Sequence, residues 1–309
     1  MHSALADSLK YLTTAVPELA RRAGLTPAEV DKQLIRLAEQ RFAPHVFARY
    51  YELVPQVEAG QLDAAADHFG VIVRAEPLAG DRPRICGIED PPLREVADLY
   101  RSKLDTDPQT DFRLLQPDDA ELDRAQRLLE SASRRFEPVL SDGFAELRAT
   151  VSEVIVAVGE PGSPYQFGGA SSYMLWGALL LNAQRMEDER AVTISLMHEA
   201  AHTLLFGQTI DEPLVLNGDD EFYDSPLRSD PRPMDGIFHA TFVSARMHQA
   251  LAMMLQSDAL SDDEREPTVS DQQLSERAFL DGLEVVREHG RLTPTGREVM
   301  AAAEAYMNN

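Results

Sequence analysis

Residues 174–207 read MLWGALLLNAQRMEDERAVTISLMHEAAHTLLFG, and the change of pattern inside them decides the fold class. The first nine residues are a short apolar run that ends near Asn182, the length and composition of a buried strand. A polar break follows. From residue 187 to Phe206 the pattern is that of one helix, with Gly207 as its stop. A strand that feeds a helix needs further strands beside it, and the run VSEVIVAV at residues 151–158 supplies one. Both runs read as strands of one sheet.

Outward from this centre the chain reads as mostly helical. The first 75 or so residues carry apolar positions at helical spacing, among them Leu9, Leu12, Val16 and Leu19. Thr26 and Glu29 make a capping box with Pro27 at the first helical position. Residues 19–38 superficially resemble a helix-turn-helix, but Glu29 and Asp31 on the would-be reading helix would face phosphates badly. Residues 78–93 are rich in Pro, Gly and charge and read as a loop and the domain boundary. A short strand at residues 112–115 and a charged amphipathic helix at 118–136, stopped by Pro138, come next, with another helix near Phe144. Beyond the central helix, residues 209–233 read as irregular and 235–255 as a helix. Residues 257–269 read as an acidic loop, Ser270 and Gln273 as a second capping box, and the chain from Pro294 as a last helix. The expectation is an α+β fold, mostly helical, with two to four strands in a small mixed or antiparallel sheet. Residues 1–110 form a helical N-terminal region and 111–309 a metal-binding catalytic domain.

The 309 residues carry 29 Lys and Arg against 52 Asp and Glu, a formal charge of −23. That balance repels a polyanion, so nucleic acid is not an expected partner. The single cysteine, Cys86, excludes an internal disulfide and a cysteine-based zinc site. No run of 18 apolar residues occurs, so no membrane span is expected. The N-terminus lacks the basic and apolar regions of a signal peptide, and a cytoplasmic setting is expected.

The chemistry concentrates in His198-Glu199-Ala200-Ala201-His202. Residues i and i+4 of a helix share a face, so two imidazoles there can bind one divalent metal, and Glu199, about 100° round, can meet a metal-bound water. Two ligands hold a catalytic metal poorly, so a third is needed. Leu205 and Gln208 stand where a metzincin would have Gly and His. Glu212 and Glu221 are available as a downstream carboxylate ligand. His239, after the rigid turn Asp230-Pro231-Arg232-Pro233, is the better candidate. His248 falls near the opposite face of the same helix. His2, His45, His68 and His289 lack supporting context.

HEAAHTLLFG, followed after a spacer by SPLRSDPRPMDGIFHATFVSARM, resembles the HExxH domain of peptide-modification gene clusters, over roughly residues 168–255. The resemblance implies a sheet packed on a zincin-like HExxH helix. It also implies an Fe(II)- and 2-oxoglutarate-dependent oxygenase that hydroxylates a side chain, at Cβ, of a ribosomally made precursor peptide with leader and core. His198, His202 and His239 would be the metal ligands. Three facial ligands leave three positions open for 2-oxoglutarate and oxygen, and imidazole suits iron as well as zinc. The cosubstrate's distal carboxylate calls for arginine. Arg232 and Arg228 come first, then Arg246, two turns after His239 on its face. Glu199 is the catalytic carboxylate, a general base in a peptidase or an orienting group in an oxygenase. Ser171 and Ser172, in a Gly-rich turn, and Asn182, at the end of a strand able to pair an extended peptide at its edge, are candidate substrate contacts. Two other readings stand beside this one: a zinc metallopeptidase with Glu199 as base and a Glu ligand from Glu212 or Glu221, and a non-catalytic peptide-binding module.

Overall fold

The computed structural model describes residues 1–104, 113–162, 167–225 and 230–308. They fall into two compact units that alternate along the chain: Met1–Asp123 with Arg148–Gln184, and Arg124–Leu147 with Arg185–Asn309. The chain therefore does not divide by a single cut near residue 110. The fold is α+β, mostly helical with a small mixed sheet.

The first unit begins with five helices, α1 (His2–Ala15), α2 (Glu18–Arg22), α3 (Pro27–Glu39), α4 (His45–Glu58) and α5 (Leu62–Arg74). Both halves of the capping box at α3 form: the Thr26 amide donates to Glu29 Oε2 at 2.7 Å and the Glu29 amide to Thr26 Oγ1 at 3.3 Å. Buried Gln33 ties α3 to the end of α5 by donating to the Ile72 and Ala75 carbonyls at 3.2 and 2.9 Å.

Strand β1 (Arg84–Gly87) follows, then α6 (Ala97–Leu104), β2 (Glu153–Ala157), β3 (Gly169–Ser171) and β4 (Ala178–Asn182). The order across the sheet is β1-β2-β4-β3, with β1, β2 and β4 parallel and β3 antiparallel. Every residue of β2 and β4 is buried, which is why, apart from Glu153 and Asn182 at their ends, their sequences are apolar rather than alternating. Gly177 turns the chain into β4 at φ +90°, where a Cβ would also meet Ser152 Oγ at 2.7 Å.

Two expectations need correction here. Residues 78–93 are not all loop, since β1 lies inside them. And β4 is an interior strand with β2 and β3 on its two sides, so its backbone has no free edge for a peptide; edge status follows from sheet order, which the sequence of one strand does not carry. The strand expected at residues 112–115 begins outside the described residues, and its remainder makes one bridge, Leu115 to Val158.

The second unit holds most of α7 (Asp119–Phe136) and α8 (Ser141–Thr150), then α9 (Glu189–Gly207), a two-stranded ladder of β5 (Phe222–Tyr223) and β6 (Arg232–Pro233), α10 (Met234–Gln256), α11 (Asp262–His289) and α12 (Pro294–Met307). Its core gathers Leu205, Phe238, Phe279, Leu283 and Met300. Arg135 of α7 braces the unit: it donates to the Ala259 carbonyl and pairs with Glu189 of α9 and Glu264 of α11. The acidic loop expected at 257–269 is mostly helix, and the cap is Ser261 with Glu264, not Ser270 with Gln273. Pro267 is tolerated because it is the sixth residue of α11; the amide it lacks would have bonded the Asp263 carbonyl in the exposed first turn. Residues 209–233, expected irregular, contain the β5–β6 ladder, and Leu214 to Leu216 bond the backbone at residues 291–293.

Candidate metal centre

Helix α9 starts at Asp188, whose side chain accepts the Ala191 amide at 2.8 Å, a cap worth about 1 kcal/mol. From that start the 3.6-residue period places His198 and His202 on one face, ring centroids 5.1 Å apart. Helix α10 brings His239 to the same place. The His239 ring stacks on that of His202 at 5.6 Å and 16°, and the two Nδ1 atoms are 3.3 Å apart. Phe206, one turn beyond His202, covers the other side of His239 at 5.2 Å. Asp235 Oδ1, one turn earlier on α10, stands 3.9 Å from His239 Nε2.

Burial decides the charge of this group. It lowers the pKa of His198, and it lowers that of His202 well below the usual histidine value, helped by the neighbouring His198 and His239. His239 is lowered by burial too, with Asp235 pulling the other way. All three rings are therefore neutral at pH 7, the state in which a ring nitrogen has a lone pair to give. Two neutral Nδ1 atoms at 3.3 Å either share one N–H or point both lone pairs at a common cation. Two nitrogens about 2.1 Å from one ion at ordinary ligand angles are roughly 3.0–3.4 Å apart, so the pair fits a metal. Among the described residues no three His, Cys, Asp or Glu side chains already stand close enough to enclose an ion. The arrangement is a formed pair with a third imidazole one helical turn away.

The other candidates are placed as follows. Glu199 is buried, 6% exposed. Glu212 accepts the Thr295 amide at 2.8 Å at the start of α12. Glu221 accepts the Gly218 amide and the Tyr223 hydroxyl at 2.9 and 2.8 Å and pairs with Arg291. Both carboxylates proposed as alternative ligands are thus engaged with other groups. Arg232 pairs with Asp230 at 2.6 Å. Arg228 lies outside the described residues. Arg246 pairs with Glu146 of α8 and donates to Gln249 Oε1 at 3.1 Å. His248 bonds Tyr306 and Gln272 and is a structural histidine.

Ser171, Ser172 and Asn182 belong to the first unit. Asn182 is 1% exposed; its amide donates to the Phe167 carbonyl at 2.9 Å and its Oδ1 accepts the Gln184 amide at 3.0 Å. The sequence reading missed Asp235 and Phe206. The signal for Asp235 was present, four residues before His239, in the same spacing that singled out His198 and His202. Comparison with protein-family models and with curated proteins finds no match, so the site rests on its own geometry.

Proposed function

We propose that this chain is an Fe(II)- and 2-oxoglutarate-dependent oxygenase that hydroxylates a side chain, at Cβ, of a ribosomally made precursor peptide. The observation that carries the reading is the meeting of His202 and His239, 37 residues apart in sequence, with Nδ1 atoms 3.3 Å apart in a buried, uncharged setting. The resemblance of residues 168–255 to the HExxH peptide-modification domain supplies the reaction class, and a zincin-like packing of sheet on α9 belongs to the same reading.

His198, His202 and His239 would hold the metal, His198 joining the pair by rotation about its side-chain torsions. With Fe(II) bound, the site would supply oxidative chemistry in which dioxygen is the oxidant, one of its atoms entering the peptide C–H bond as a hydroxyl and the other the new carboxylate of succinate as 2-oxoglutarate loses CO₂. The residues themselves give neutral nitrogen donors without proton release, because burial already keeps the rings unprotonated. Phe206 shields His239 from water. Asp235 Oδ1, 3.9 Å from His239 Nε2, would accept the Nε2 proton after a small rotation of its side chain, which would fix Nδ1 as the donor atom. Arg232 and Arg228 are the cations for the cosubstrate's distal carboxylate. Glu199 orients a ligand or substrate and has no water to deprotonate.

Anaerobic reconstitution with Fe(II) followed by 2-oxoglutarate tests this. A weak charge-transfer band near ~500 nm, the signature of a chelated 2-oxo acid on an open three-ligand iron site, is expected in the wild type. It should vanish in His239→Ala and persist in Glu199→Gln. Tight zinc binding with no response to 2-oxoglutarate, and peptide cleavage lost in Glu199→Gln, would replace this reading with the zinc metallopeptidase.

A further inference from the structure

A cavity of about 330 Å³ opens between α9, α10 and α12, lined by Leu204, Phe242, Val299, Ala302, Ala303 and Tyr306, with Arg246 and Gln249, bonded to each other, as its polar end. Leu204, Phe242 and Val299 form apolar walls. Alanines at 302 and 303 leave the space a larger side chain would fill. Leu204 lies two residues after His202, about 200° round α9 at 100° per residue, so the cavity is on the side of that helix away from the imidazoles.

The polar end offers donors. Arg246 uses one hydrogen bond to Gln249 Oε1 and one to Glu146, out of the five that a guanidinium can make. Gln249 accepts from Arg246 through Oε1, which leaves its amide N–H groups to donate. An apolar pocket with donors gathered at one end suits a ligand with an apolar tail and an acceptor-only head. A carboxylate is such a head, and it meets a positive group in a chain of net charge −23.

We propose that this cavity binds a small apolar monocarboxylic acid, its carboxylate on Arg246 and Gln249 and its tail between Leu204, Phe242 and Val299. About 330 Å³ accommodates an acid of roughly twelve heavy atoms, near the lower end of ligand pockets. Glu146 competes with the ligand for Arg246. The site is independent of the metal centre: 2-oxoglutarate has two carboxylates and no apolar tail, so it is a poor occupant of these walls.

Calorimetric titration of the metal-free full-length protein with decanoate and with decanol, both below their aggregation limits, tests the assignment. Saturable 1:1 binding is expected, with decanoate at least tenfold tighter than decanol. Arg246→Gln should erase that preference, and Glu146→Gln should tighten decanoate several-fold by removing its competitor. Ala302→Leu, at the exposed rim and so safe for folding, should weaken both ligands at least tenfold. Absence of saturable binding, equal affinity for acid and alcohol, indifference to Arg246→Gln and Ala302→Leu, or displacement of decanoate by 2-oxoglutarate at equal concentration would each overturn it.

Discussion

Two buried groups of titratable side chains, one in each unit, are built on opposite plans. In the first unit Glu153 is fully buried at the start of β2, yet it arrives with partners. Tyr100 donates its hydroxyl to Oε2 at 2.7 Å, and Arg84, its register partner on β1, pairs with Oε1. In the second unit three imidazoles lie together, and among the described residues the carboxylate beside them, Asp235, stands 3.9 Å from His239 Nε2, beyond hydrogen-bond distance. Both oxygens of Glu153 are satisfied within the chain, and that group reads as architecture. The histidine group is kept neutral with its lone pairs available, and it reads as a place for something that the chain does not itself supply.

The sharpest way to break this contrast is to remove a partner from the complete group. Arg84→Ala leaves a buried carboxylate without its counter-charge, and unfolding in urea should show a loss of about 3 kcal/mol or more. A loss under about 1 kcal/mol would mean that the Tyr100 hydroxyl alone satisfies Glu153, and the two groups would then differ less than their geometry says. The histidine group should behave in the opposite sense, gaining stability from an added ligand. At a metal concentration of about 100 times the dissociation constant, a bound divalent ion stabilises by about 2.7 kcal/mol. The thermal midpoint should rise accordingly in the wild type and stay fixed in His202→Ala. An equal rise in that variant would place the metal elsewhere.

The difference between the groups also explains what could be read in the sequence. His198 and His202 were legible because helical period alone puts them on one face. His239 was reached through the Pro-locked turn before its helix, and the structure sets it against His202. Arg84, Tyr100 and Glu153 escaped notice because nothing local links them: they come from β1, α6 and β2, and the parallel register that joins Arg84 to Glu153 spans 69 residues. The strand β1 itself hides in a Pro- and Gly-rich segment, and RICG is too short to show a pattern. The long helix α11 begins inside the acidic stretch 257–269, where Ser261 and Glu264 carry the capping signature. Local chemistry was readable where period or capping encodes it, and unreadable where sheet order or a long-range pairing decides.

The smallest expected effect separates the two bonds that complete the Glu153 group. Tyr100→Phe removes one hydroxyl and almost no volume, so no cavity term enters, and Tyr100 is fully buried, so water does not replace the lost donor. What remains is a carboxylate oxygen without its hydrogen bond beside an intact ion pair. A hydrogen bond to a charged group contributes about 1.5–3 kcal/mol, and the retained Arg84 should keep the loss near the lower figure. The Tyr100 phenol is itself held protonated, its pKa raised by burial and by the adjacent carboxylate, so it donates across the whole range in which the protein is folded. The loss in urea should therefore be the same at pH 6 and pH 9. A loss that shrank toward pH 9 would mean that the phenol ionises there, and that the carboxylate is less enclosed by its own partners than the imidazoles are by theirs.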